Sequence, residues 1–133
     1  MKIPKLVLAS YFQPENHGAG RKIGITPGKP KDIECDTKFD PISPEQLYWD
    51  YMKYKKEDPV MAGKAFDRSY REKLDEFTAD VQKTATEENK TVFDVLPFQD
   101  GDTLLSWENK GNMTFRKITA EYLRKLGYEV EEN

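Results

Sequence analysis

Cysteine and histidine occur once each in this 133-residue chain, as Cys35 and His17. A single thiol cannot close an intrachain disulfide, which points to a reducing, cytoplasmic setting. One thiol and one imidazole cannot build a zinc site, and the many carboxylates show no calcium-ligand spacing, so no metal or other cofactor is expected. Cys35 lies in KDIECDTKFD, where acidic neighbours do not favour a nucleophilic thiolate. A net positive charge is lacking too. The net charge of −3 leaves no broad cationic surface for tracking a phosphate backbone, which excludes general non-specific nucleic-acid binding. Long apolar runs are missing as well. MKIPKLVLASYF is too short and too interrupted for a signal segment, and nothing reaches membrane-spanning length, so no membrane partner is expected.

What the chain does contain is one domain's worth of residues, 1–133, with no repeat or low-complexity tract. Charged residues make up 34% and apolar residues 37%, but the 12% of aromatics argue for a packed core rather than disorder. Residues 3–12 read as a first strand whose run Leu6-Val7-Leu8 suits a central, doubly covered position. RKIGIT at 21–26 reads as a second strand closed by PGKP, and 29–42 as a charged connection wrapping the surface. Ser43-Pro44-Glu45 carries the signature of a helix start, with Leu47, Tyr48, Tyr51 and Met52 on one face and an end before Asp58-Pro59. The stripe Phe66, Tyr70, Leu74, Phe77 and Val81 predicts a second helix over about 62–85. The apolar patch at 92–98 fits either a short helix or irregular packing. The fold these elements imply is α/β: a small central, mostly parallel sheet of about three to five strands flanked by helices in a Rossmann-like three-layer arrangement.

The stretch most suited to function is DTLLSWENKGNMTFRKITAEYLRKLG, residues 102–127. A short apolar strand, Thr103 to Trp107, runs into a glycine-bearing loop and then a helix with buried positions Ile118, Tyr122, Leu123 and Leu126. Gly127 supplies the stop, and 128–130 suit a short edge strand. Ligands gather where parallel strands end and helices begin, because backbone N–H groups there receive anions.

LLSWENKGNMTFRKITAEYLRKLGYEVEE resembles the C-terminal block of the domain-of-unknown-function family numbered 488, of bacteria, archaea and phages, which reads LLCYEKPGxFCHRxxxAEWL with a GxEVEE-like tail. ASYF at 9–12, IGIT at 23–26, GKP at 28–30 and the Phe66/Tyr70 pair are similar to elements of one branch. The resemblance implies an α/β fold and an intracellular protein, phage-encoded in some members, with no assigned activity. The family's two cysteine positions fall on Ser106 and Thr114 here and its histidine on Phe115, whereas Glu108, Gly111 and Arg116 are kept. The thiol and imidazole chemistry is therefore gone, and a carboxylate and a guanidinium survive.

Glu108 and His17 are thus the candidate catalytic groups, and Arg21, Arg116, Tyr11, Phe12 and Trp107 the candidate ligand-binding groups. Arg116 should lie in a helix's first turn, where the dipole disfavours a cation by about 0.3–1 kcal/mol, so something must compensate. Either it pairs with Glu108 as a structural brace, the favoured reading, or it receives a phosphate. His17, in QPENHGAGRK, would approach the same edge if the first strand neighbours the Leu104 strand, and could then act as acid or base, although an exposed loop histidine is the commoner case. GAG lacks the GK[ST] ending of a phosphate loop. A triad of Ser106, His17 and Asp102 is disfavoured because Ser106 falls within a strand rather than on an elbow. The functional expectation is a protein that binds or processes a nucleotide-like ligand or nucleic-acid base at the sheet's C-terminal edge. The alternative is a non-catalytic sequestering or protein-interaction module.

Overall fold

Strand β1, Lys5–Ser10, carries an uninterrupted apolar run and is buried along all but its first residue. That pattern requires cover on both faces of the sheet. The computed structural model describes residues 3–31, 33–107 and 115–133. Around β1 stand β2 (Lys22–Gly24), β3 (Thr37–Lys38), β4 (Thr103–Ser106) and β5 (Glu129–Glu132), in the order β3-β2-β4-β1-β5. Every pairing is parallel. The expected α/β class with its parallel sheet is what the chain adopts, and β1 does neighbour β4, with Ser10 opposite Ser106 at their C-terminal ends.

Alternation along the strands sends two sets of side chains to two faces. Leu6, Leu8, Ile23, Ile25, Leu104 and Val130 join the main core under the helices. Leu6, Leu8 and Leu104 are completely buried, each worth about 1.5–3 kcal/mol over an exposed position. On the other face Ala9, Tyr11 and Leu105 pack with Ile33, Cys35 and part of Trp107. This third layer consists of connecting segments rather than long helices. Such a layer must approach the sheet closely, and the Gly18 N–H donates to Thr103 Oγ1 at 2.8 Å.

The helical layer holds α1 (Gln46–Tyr54), α2 (Pro59–Glu87), α3 (Val92–Val95) and α4 (Arg116–Lys125). Two boundaries differ from the sequence expectation. Ser43 does not cap α1. Its hydroxyl accepts from the Glu45 N–H, and the helix starts only at Gln46, after Glu45 adopts φ 51°. Asp58-Pro59, expected as a terminator, also begins α2: Asp58 accepts from the Met61 N–H while Pro59 occupies a first-turn position where no donor is needed. The undecided patch at 92–98 begins with the short helix α3, held by a reciprocal cap between Thr91 and Asp94. Tyr70 ties the layer together, donating to the Ile42 carbonyl at 2.6 Å and meeting Thr119 Oγ1 at 2.8 Å. Among the described residues no helix is long and apolar enough to cross a membrane.

Candidate functional site at the carboxyl ends of β1 and β4

The topology singles out one place. The connection after β1 crosses to β2 over the face that carries Val7 and Thr103, since a side chain at Gly18 would meet both. The segment after β4 returns to β5 through α4, whose Ile118, Tyr122 and Leu123 pack in the opposite core with Leu8 and Leu104. Adjacent strands whose connections leave to opposite faces create a crevice outside their carboxyl ends, where ligands settle in open parallel sheets.

The backbone stitches this crevice closed beneath. Tyr11 N–H donates to the Ser106 carbonyl at 2.8 Å, and the buried Ser10 hydroxyl accepts from the Phe12 N–H. His17 lies beside it, half-buried, with Nε2 2.7 Å from the Ser10 carbonyl. A carbonyl can only accept, so Nε2 carries the proton and Nδ1 is the nitrogen left for proton transfer in the neutral ring. Phe12 presents its ring outward at 56% exposure.

On the β4 side, Trp107 stacks at a tilt with Trp49 and Tyr48, each 5.1 Å away between ring centroids. Tyr48 continues the row to Phe115 at 5.6 Å. Trp49 is 48% exposed and sits at the outer end of this row. Sequence reasoning missed it because Trp49 adjoins the buried Tyr48 on α1 and carries no motif. Its side chain faces outward because neighbouring positions on a helix are rotated by about 100°.

The remaining candidates occupy other environments. Tyr11 is buried at 2% exposure, its hydroxyl 3.0 Å from Thr26 Oγ1, and burial pushes its pKa above the usual phenol value. Its ring packs with Ala9 and Leu105 in the smaller core cluster and is not open to a ligand. Arg116 is wholly buried, and its Nη2 donates to the carbonyls of Leu8 at 3.0 Å and Asn133 at 2.6 Å. It therefore binds the ends of β1 and β5 to the start of α4. Glu108 lies outside the described residues, as do Met113 and Thr114.

Arg21 is at the opposite edge of the sheet, and the structure corrects its grouping with Trp107. It grips Asp102 in a fork, Nε to Oδ1 at 3.1 Å and Nη2 to Oδ2 at 2.7 Å, and adds the Pro97 carbonyl at 2.9 Å. Asp102, 1% exposed, precedes β4, and its hydrogen bond holds the Arg21 pKa above the ordinary guanidinium value. The same placement removes the triad. Asp102 and Ser106 stand at the two ends of one strand, about 13 Å apart at 3.3 Å per residue. Among the described residues no three His, Cys, Asp or Glu side chains gather to hold a metal ion.

Fold and crevice together define a parallel α/β domain with an aromatic-walled switch point. No family model matches the chain, and comparison with curated proteins and with solved structures returned no match.

Proposed function

We propose that the chain binds a planar, nucleotide-like ligand in the crevice between β1 and β4, recognising it by the base rather than by phosphate. The observation that carries this reading is the exposed aromatic wall at a topological switch point: Trp49 stacked on Trp107, with Phe12 and His17 across the strand ends. Stacking of a base on such a ring contributes about 1–3 kcal/mol. His17 Nδ1, the ring nitrogen not bonded to the Ser10 carbonyl, supplies a polar contact to a base edge. The resemblance to the family numbered 488 and an intracellular, reducing setting for Cys35 are part of the same proposal. Loss of that family's thiols and imidazole favours binding over turnover.

Both tryptophans of the chain lie in this wall, so intrinsic fluorescence reads the site directly. Titration with free bases, nucleosides, nucleotides and sugar phosphates should give saturable quenching by base-containing compounds and none by sugar phosphates. Trp49→Ala should weaken the best binder by about tenfold or more. Product analysis on that binder separates sequestration from catalysis. If no base-containing compound quenches fluorescence or raises Tm, the reading is wrong.

A second reading is favoured by Arg116, whose burial against two backbone carbonyls is the behaviour of a brace. In it the chain is an interaction module and the crevice is a structural seam.

A further inference from the structure

We propose that a second site, the cleft between α1 and α2, binds a small organic cation: an ammonium carried on an apolar or aromatic body. This inference stands apart from the crevice at the strand ends and does not need it.

The cleft arises from a size mismatch. α1 turns Leu47, Tyr51 and Tyr54 toward α2, whereas α2 answers with the small side chains of Ala62, Ala65 and Ser69. Large residues opposite small ones close the gap only in part, and a cavity of about 380 Å³ remains, floored by Phe66. That volume belongs to small-ligand pockets, which run from about 300 to 1,000 Å³. It holds a single-ring compound but not a helix.

The chemistry of the lining selects charge and shape together. Among the described residues, Asp50 and Asp58 are the charged groups that line the cleft. Asp50 accepts from the Gln46 amide at 3.0 Å, and Asp58 caps the Met61 N–H at 3.1 Å. Among the described residues neither makes an ion pair with lysine or arginine. Two carboxylates bonded only to neutral donors retain capacity for a cation. Aromatic faces beside them attract the same charge, and Tyr51 already has the Lys55 ammonium 5.7 Å from its ring centroid. Met61 and Tyr54, 55% and 58% exposed, offer a soft apolar wall that the body of a ligand would cover. A neutral ligand leaves the carboxylates unused, and an anion is repelled.

The test uses the full chain with its methionine methyls labelled with carbon-13, so that Met61 reports from the wall. The probes are phenethylammonium, 2-phenylethanol and 3-phenylpropionate, which share a ring and differ in charge. Phenethylammonium should shift the Met61 methyl saturably and bind about fivefold or more tightly than the alcohol, while the carboxylate gives no shift. Asp50→Asn with Asp58→Asn should erase the preference for the cation, and asparagine still caps α2. Ala65→Leu, a good helix former placed in the gap, should block both the ammonium and the alcohol with the helical circular dichroism unchanged. Equal binding of ammonium and alcohol overturns the proposal. So does an unmoved Met61 methyl, unaltered binding in Ala65→Leu, or a lysine-rich amphipathic peptide that binds the cleft when the amine does not.

Discussion

Replacing Gly20 with alanine should destabilise the protein by about 2 kcal/mol, and the reasoning tests how the loop layer sits on the sheet. An added Cβ would lie 2.4 Å from the Gly101 carbonyl oxygen, 2.6 Å from its carbon and 3.1 Å from the Asp102 nitrogen. All three are backbone atoms, which cannot rotate aside. The turn must move instead, and it is anchored: Gly101 N–H donates to the Lys5 carbonyl at 2.7 Å, Lys5 N–H to Asp100 Oδ1 at 2.8 Å, and Thr103 N–H to the Arg21 carbonyl at 2.8 Å. Losing or stretching about two or three such bonds costs about 2–3 kcal/mol. The smaller entropy of the unfolded alanine chain returns about 0.4–1 kcal/mol. With about 2.1 cal/mol/K of unfolding entropy per residue, a net 2 kcal/mol lowers Tm by about 7 °C. Two companions grade the effect. Gly18→Ala meets the Thr103 hydroxyl at 3.1 Å and the Gly101 carbonyl oxygen only at 3.4 Å, a milder approach that strains the hydrogen bond from Gly18 N–H to Thr103, and should cost about 1 kcal/mol. Gly28→Ala meets nothing within 4 Å and should be neutral or slightly stabilising. Urea unfolding followed by circular dichroism and tryptophan fluorescence supplies the numbers. A Gly20→Ala variant within 0.5 kcal/mol of the parent, about the spread of inert surface substitutions, or a Gly28→Ala variant that loses more than Gly20→Ala, refutes the close approach.

Tyr128→Phe should leave stability unchanged or raise it by about 1 kcal/mol, because the residue is 3% exposed and its hydroxyl meets no hydrogen-bond partner among the described residues; a loss above 1 kcal/mol would show that the hydroxyl is satisfied. Burial pushes the Tyr128 phenol up to about 12, and burial with a hydrogen bond to Asp75 does the same for Tyr122. The native state thus prefers both protonated, so their contribution is complete below pH 10, the ordinary phenol value, and is lost as pH rises through about 12. The double variant Tyr122→Phe/Tyr128→Phe should flatten that alkaline loss in a pH series of Tm values, and an unchanged slope rejects the assignment. At the acid end, the hydrogen bond from Arg71 lowers the Glu121 pKa, so this stabilisation is present above the usual carboxylate range and disappears as pH falls through the lowered value. Being partly exposed, the pair should contribute under about 1 kcal/mol, and Glu121→Gln should remove that part of the acid slope.

The parts of the fold that depend on local pattern were readable in the chain. Leu6-Val7-Leu8 and Thr103-Leu104-Leu105 announced central strands, and Phe66, Tyr70, Leu74 and Val81, all buried, traced the inner face of α2. Signals that depend on a distant partner were not. Arg21 and Asp102 stand 81 positions apart, and only the register of β2 beside β4 brings them to one edge. Ser43-Pro44 carries the letters of a helix start, yet Ser43 is buried with its carbonyl bonded to the Lys73 ammonium. The chain therefore turns again at Glu45 before α1 begins. The pairing of β1 with β4 was only a condition in the sequence, and the structure meets it. The row of rings at the end of β4 was not legible, since Trp49 reaches Trp107 across 58 positions of sequence.

Where the cations went decides what the crevice can recognise. Arg21 is held at the far edge by a buried carboxylate, and the Lys22 ammonium donates to the carbonyls of Gly18 and Gly20, both at 2.7 Å. Arg116 opens α4, where the helix dipole disfavours a cation. Two carbonyls at the ends of β1 and β5 offset that cost, and in return receive a donor. A guanidinium with no exposed surface can strengthen the positive end of α4 from beneath but cannot grip a phosphate directly. Rings and one imidazole remain on the described walls, groups that read the face and edge of a planar molecule. A nucleoside and its nucleotide should then bind with similar affinity in the fluorescence titration, and a marked preference for the phosphorylated form would refute recognition by the base alone.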